Sequence, residues 1–204
     1  MKLFLVRHGQ TDWNLAQRFQ GMSDIPLNET GRQQAHALGE RLSSQDFEAV
    51  YSSPMRRALE TAELITARKI GIQTDPRLQE ISFGDWEGMA YDEINGKYPD
   101  ALKIWENDVV HNAPPGGETL EQLVQRVQSI LNDLHASHRG QTVLIVAHGG
   151  VLQSLICLAL NMPPGMYWQF QLSPTSLSEI SFYPAGAIVN FLNDTSHLRK
   201  IYDS

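Results

Sequence analysis

Cysteine is almost absent from these 204 residues: there is one, Cys157. That excludes a disulfide framework and any zinc site built on cysteine. A basic surplus is missing as well. Sixteen Lys and Arg stand against 23 Asp and Glu, a formal charge of −7. A duplex nucleic-acid binder needs clustered positive charge, so that class is disfavoured. An anionic ligand would have to be captured by a local pocket against the overall field. There is no internal repeat, low-complexity tract or charged tail. Nor is there a clean membrane span. Val143–Leu160 runs 18 residues without Lys, Arg, Asp or Glu, but His148, Gly149 and Gly150 interrupt it. It reads as a buried strand, a turn and a buried helix. The opening apolar run, Leu3–Val6, meets Arg7 and His8 at once and is too short for a signal sequence. A cytoplasmic location, with no membrane and no nucleic-acid partner, is the expectation.

What is present is ordinary globular composition, 42% hydrophobic and 19% charged, in a length that suits one domain with its own core. Leu3–Val6 is a short continuous apolar run, suited to a strand buried on both faces. Ala35, Leu38 and Leu42 recur at helical spacing after Asn28-Glu29-Thr30-Gly31. Ala49–Tyr51 is a second strand, and Ser53 with Pro54 predicts a capped helix start before Ala58, Ala62 and Ile65. Ile70–Thr74 is a weaker strand. Residues 83–117 are irregular, with short helical pieces at 91–98 and 101–107, and read as a cap inserted over the end of a sheet. Thr119–His138 carries a stripe of Leu120, Leu123, Val127, Ile130, Leu131 and Leu134. Thr142–Ala147 is an apolar strand followed by a helix over 151–160. Leu177–Tyr183 and Ala187–Leu192 are two tail strands. They could pair with a second copy, as a homodimer, or finish the sheet. The alternation predicts an α/β fold: one domain over 1–204, a three-layer αβα sandwich with a mostly parallel sheet.

Two histidines stand where chemistry belongs in such a sheet. Arg7-His8-Gly9 ends the first strand and His148-Gly149-Gly150 ends the strand at 142–147. Sites in open α/β sheets form beyond the carboxyl ends of strands. A glycine after each histidine lets the backbone turn and approach a ligand. A neutral imidazole with one nitrogen fixed by a hydrogen bond is a competent nucleophile. Phosphorus suits it if cations clamp the phosphoryl oxygens. Arg7 offers a planar fork, and Arg57, near the start of the helix after Ser53, offers another, although Arg56 stands beside it. Asn14 can add a neutral donor.

These residues resemble a known family. Leu5-Val6-Arg7-His8-Gly9-Gln10-Thr11-Asp12-Trp13-Asn14 is similar to the signature of the histidine phosphatase superfamily, in its phosphoglycerate mutase-like branch. The resemblance continues through Gln20-Gly21, Asp24–Leu27 and Gly31, then Ser52–Ala58 with Thr61. It returns in Leu78-Gln79-Glu80 with Phe83–Gly88 and in Val146–Gly149. An Arg-His-Gly tripeptide alone would carry little; blocks in family order across residues 3 to 150 carry much more. The resemblance implies His8 as the phosphohistidine nucleophile, with Arg7, Arg57 and His148 binding the phosphoryl group. It implies Glu80 as general acid and then base, with Glu87 the fallback. Asn14, Gln20, Gly21 and the Gly149 backbone would line the substrate side, and neither a metal nor a cofactor is called for. Phe83 and Trp86, close to Glu80 in sequence, could form an apolar wall that raises its pKa.

The family implies either hydrolysis of a small-molecule phosphate monoester or the shuttling of a phosphoryl group by a mutase. A mutase must clamp both ends of a bisphosphate, yet Leu78–Gln125 contains no Arg and only Lys97 and Lys103 among many acids. That favours the phosphatase. Pro115-Gly116-Gly117-Glu118-Thr119 resembles a segment of bacterial α-ribazole and broad-specificity phosphatases. Trp86, Tyr91, Tyr98 and Trp105 suggest a substrate with a neutral or partly apolar body, or a cap held together by its own rings. A phosphate-recognition module without catalysis would be expected to lack the nucleophile or an arginine, and neither is lacking.

Overall fold

The computed structural model describes residues 1–202. Its centre is a six-stranded sheet of β1 (Lys2–Arg7), β2 (Ala49–Ser52), β3 (Ile72–Thr74), β4 (Thr142–Ala147), β5 (Leu177–Tyr183) and β6 (Gly186–Asp194). The order is β3-β2-β4-β1-β5-β6. The first four strands are parallel, β5 pairs antiparallel with β1, and β6 antiparallel with β5. The tail strands therefore finish the sheet within the chain and make it mixed.

The central strands carry no polar alternation because both their faces are covered. Leu3 and Leu5 of β1 and Val143, Ile145 and Ala147 of β4 enter one core. Phe4 and Val6, with Leu144 and Val146, enter another on the opposite face. The first core is closed by α6 (Leu120–Ser137) and α7 (Gly149–Ala159), and the second by α2 (Glu29–Arg41) and α3 (Arg56–Thr66). This is the expected three-layer sandwich. The α6 stripe is at most 3% exposed, and burying each such side chain removes apolar surface worth about 1.5–3 kcal/mol. A capping box starts this helix: Thr119 Oγ1 accepts from Gln122 N and Gln122 Oε1 from Thr119 N. Among the described residues no helix is long and apolar enough to cross a membrane.

One local expectation fails. The helix after β2 begins at Arg56 with Met55 as its N-cap, so neither Ser53 nor Pro54 occupies the expected cap and first-turn positions. Ser53 Oγ still accepts a 3.3 Å bond from Met55 N, but its stronger partner is the ring of His148.

Between β3 and α6 lie a 3₁₀ turn at Gly84–Trp86, α4 (Tyr91–Lys97) and α5 (Pro99–Asn107); a short α1 (Asp12–Leu15) follows β1. Trp86, Ile94, Leu102 and Trp105 make a separate small core here, with Phe19 and Phe83 packed on it. Trp86 and Trp105 are thus spent on holding this segment together. Its two ends meet: Asp85 N donates to Pro115 O at 2.9 Å. At Gly84, with φ +51°, a Cβ would strike that same oxygen at 2.2 Å, so only glycine fits.

Candidate active site

The parallel register decides the site. Arg7 pairs with Ala147 across β1 and β4, so the next residues, His8 and His148, leave the sheet side by side. Their ring centroids are 5.2 Å apart and tilted by 58°. Both are buried, at 2% and 0% exposure. His8 Nδ1–H donates to Gly9 O at 2.7 Å, which fixes the tautomer and leaves the lone pair on Nε2. His148 is placed differently. Its Nδ1 accepts from Arg57 Nε at 3.2 Å, so the ring proton sits on Nε2 and is given to Ser53 Oγ at 2.8 Å. One histidine therefore has a free lone pair and the other has none.

Two guanidinium groups surround the pair. Arg57 is completely buried. Besides His148 it donates to Ser23 O at 2.7 Å and Gly21 O at 2.8 Å, which uses three of its five N–H groups and leaves one on each Nη. Arg7 Nη1 donates to Leu172 O at 2.6 Å, while its buried Nε has no partner at all. An unsatisfied buried N–H is costly, and an oxyanion would satisfy it. Burial lowers the Arg57 pKa to about 10, with Glu80 and Asp24 opposing the shift, so it remains a cation at neutral pH.

Glu80 comes from the segment after the 3₁₀ turn Pro76–Leu78. Its Oε1 accepts from Ile81 N at 3.0 Å and its Oε2 from Gly150 N at 3.2 Å. The Gly149 position shows how closely the parts converge: a Cβ there would lie 3.8 Å from Arg7 Nε and 3.9 Å from Glu80 Oε2. As the first residue of α7, Gly149 has no intrahelical acceptor for its N–H, which is left for a ligand. The aromatic wall expected beside Glu80 is elsewhere. Phe83 packs edge-on against Phe19, and Trp86 against Phe19 and Trp105. Hydrogen-bond donors and the two arginines surround the carboxyl instead.

The opposite wall is a polar hairpin of chain. Thr11 caps α1 and accepts from Asn14 N, while Asn14 Oδ1 takes the Thr11 N–H; the Asn14 amide nitrogen is the donor left over. The Thr11 hydroxyl lies 3.0 Å from both Asn14 Oδ1 and Gln20 Oε1 and so joins the two amides. Gly21, at φ +52°, turns its carbonyl to Arg57. Glu87, the fallback acid, is a strut: it accepts from Met22 N, Ser23 Oγ and Phe83 N, tying this loop to the segment at 83–87. Sequence reasoning missed Ser53 as the partner of His148 and Thr61, whose Oγ1 accepts from Gly9 N. Nothing local marks either role. Among the described residues no cluster of three or more His, Cys, Asp or Glu could hold a metal ion.

Burial, then the charges of Arg57 and Arg7, holds His8 well below the ordinary histidine value of 6.5, and burial and Arg57 do the same to His148. Both are therefore neutral in the folded protein at pH values where the unfolded chain has begun to protonate them. The unfolded state binds more protons below about pH 6.5, so acid favours unfolding. Two such sites give stability that falls by up to roughly 2.7 kcal/mol per pH unit below that point. Urea melts between pH 7.5 and 5 should show this slope, and a His8→Gln variant should show about half of it. Flat stability across that range would mean the rings are not held neutral.

An imidazole with a free nitrogen lone pair, two guanidinium forks, a helix N-terminus and a carboxyl gathered at the ends of β1 and β4 suit phosphoryl transfer. The sequence matches the histidine phosphatase superfamily (branch 1) over residues 3–195. The chain belongs to that superfamily, and it is a phosphatase. Phosphoserine phosphatase 1 of Hydrogenobacter thermophilus is 33% identical over 203 residues, covering 99% of this chain and 96% of that protein. Phosphoglycerate mutase-like protein 4 of Arabidopsis thaliana is 40% identical over 158 residues, 76% of this chain and 69% of that one. The crystal structure of the α-ribazole phosphatase of Shigella flexneri superposes with a TM-score of 0.90 at 32% identity, over 96% of this chain and 97% of that one.

Proposed function

We propose that the chain acts as one catalytic domain, residues 1–204 with a cap at 83–117, that hydrolyses a small phosphate monoester through a phosphohistidine on His8. The observation that carries this is the free Nε2 lone pair of His8 near the unpartnered Nε–H of Arg7 and the two Arg57 N–H groups left over from its three hydrogen bonds. Arg7, Arg57, the Asn14 amide and the Gly149 N–H hold the phosphoryl oxygens, with Gln20 and Gly21 shaping that wall. His148, which the family resemblance implies as a phosphoryl ligand, has both ring nitrogens committed to Arg57 and Ser53 in this structure, so we assign it the holding of Arg57. His8 Nε2 attacks phosphorus, the P–O bond to the leaving group breaks, and Glu80 delivers the proton that the departing oxygen needs. Glu80, now a carboxylate, takes a proton from water; the water oxygen attacks phosphorus, the P–N bond breaks, and orthophosphate leaves neutral His8 behind. The cationic groups supply the charge stabilisation that a metal supplies elsewhere.

Hydrolysis fits better than mutase chemistry. A second phosphate would need a cation in the cap, but Lys97 lies over the Tyr98 ring and Lys103 is exposed. The name of the Hydrogenobacter relative includes phosphoserine and that of the Shigella structure α-ribazole; the phosphates of both belong to the class of small single-phosphate esters we assign here. The test is orthophosphate release in EDTA from p-nitrophenyl phosphate, phosphoserine and α-ribazole phosphate. Interconversion of 3- and 2-phosphoglycerate primed by bisphosphate is measured beside it. Release should exceed interconversion. The reverse ranking, or loss of release in EDTA, overturns the reading.

A further inference from the structure

Glu80 sits on a loop, and an acid on a loop is useful only if the loop is held to within a fraction of an ångström. Arg126, on α6, spends every N–H it has on that segment and its neighbour. Nη1 donates to the carbonyls of Arg77 at 2.8 Å and Gln79 at 2.6 Å, and Nη2 to that of Glu80 at 3.1 Å. The remaining two go to Glu118, from Nε and Nη2, both at 2.8 Å. Glu118 then continues the grip: its Oε2 accepts from Ser82 N at 3.3 Å, and its own N–H donates to Ser82 O at 2.9 Å. The backbone from Arg77 to Ser82 is thus fastened on both sides of Glu80. Leu78 and Ile81, 0% and 3% exposed, pin it to the core from below. Both members of the ion pair are largely buried, with side chains 18% and 15% exposed.

We propose that the Arg126–Glu118 pair is a positioning device for the proton-transfer group: it touches no substrate and acts by holding the Glu80 carboxyl against Gly150 and the arginines. This gives a task to the Glu118 of the Pro115–Thr119 run, and it rests on the reading of Glu80 as acid and base. A guanidinium is suited because carbonyls of nearby residues diverge, and only a planar five-donor fork reaches three of them and a carboxylate together. A lysine ammonium offers three donors from a single point.

The test separates proton delivery from general stability. Values of kcat/KM are measured for phosphate esters whose leaving groups run from p-nitrophenol to simple alkanols. The proteins are the wild type, Glu80→Gln, Arg126→Lys, Glu118→Gln and the Glu80→Gln/Arg126→Lys double variant. A nitrophenolate leaves with little help, whereas an alkoxide needs the proton. Arg126→Lys should lose about tenfold or more on alkyl esters and less than about threefold on the nitrophenyl ester, a weaker copy of Glu80→Gln. The double variant should be no worse on alkyl esters than Glu80→Gln alone. Equal loss on all esters, or additive losses in the double variant, overturns the proposal. Selective loss in Glu80→Gln without it in Arg126→Lys also overturns the clamp while keeping the acid. Absence of selective loss in Glu80→Gln overturns the acid assignment and the clamp with it. If Arg126→Lys does not fold, Glu118→Gln carries the same comparison.

Discussion

If His8 is the nucleophile we propose, the His8→Ala protein should release orthophosphate from an aryl phosphate at least about 10⁴-fold more slowly than the wild type, because the covalent route is then lost altogether. The structure says why the loss falls on this histidine and not on its neighbour. His148 has its one lone pair committed to Arg57 and its one proton committed to Ser53. His8 gives its proton to Gly9 O and keeps a lone pair. The variant retains Arg7 and Arg57, so it should still bind orthophosphate, read as competitive protection of the fold against heat. A phosphorus–nitrogen bond survives alkali and breaks in acid. Radiolabelled substrate quenched in alkali should therefore label the wild type and leave His8→Ala unlabelled. Label retained by His8→Ala would move the nucleophile elsewhere and sink the assignment.

The frame of this fold is written in local pattern. β1 and β4 are continuous apolar runs because both their faces are covered, and α6 shows its buried stripe at a 3.6-residue period. The pairing of His8 with His148 follows from parallel strands in one register, so their strand-terminal positions are enough to bring the two rings together. What local pattern does not carry is the choice a side chain makes among distant partners. Ser53 looks like a helix cap, since a hydroxyl before a helix usually is one. Its stronger bond comes from His148, 95 residues away. Phe83 and Trp86 are near Glu80 along the chain, but aromatic rings go where apolar volume is open, here to Phe19 and Trp105. Arg126 reads as one more polar residue on an amphipathic helix. Its role depends on the carbonyl directions of a loop more than 40 residues upstream. No periodicity records such directions.

Arg57 joins the phosphoryl binding we propose to a structural role, and on that reading its replacement by lysine should be nearly as damaging as its removal. The side chain is 0% exposed and holds the carbonyls of Gly21 and Ser23 and the Nδ1 of His148 together. Arg57→Ala leaves two buried acceptors and the half-buried Ser23 carbonyl without donors, each costing up to about 1–3 kcal/mol before water relieves part of it. The relief of desolvating a guanidinium, evident in a pKa lowered to about 10, offsets some of that loss. The net cost in stability is therefore modest, about 1–3 kcal/mol by urea titration. The cost in activity is larger. The two unspent N–H groups are a preorganised donor pair in a buried site, and such donors are worth about 10²–10³ each in kcat. Arg57→Lys keeps the charge, but its three hydrogens radiate from one atom and cannot bond three diverging acceptors while serving a phosphoryl group. We expect kcat/KM to fall by at least about 10²-fold in Arg57→Lys, and inorganic phosphate to bind more weakly as a competitive inhibitor. Retention of more than about a tenth of the activity by Arg57→Lys would mean that charge alone suffices and that the donor geometry at this position is not what the enzyme uses.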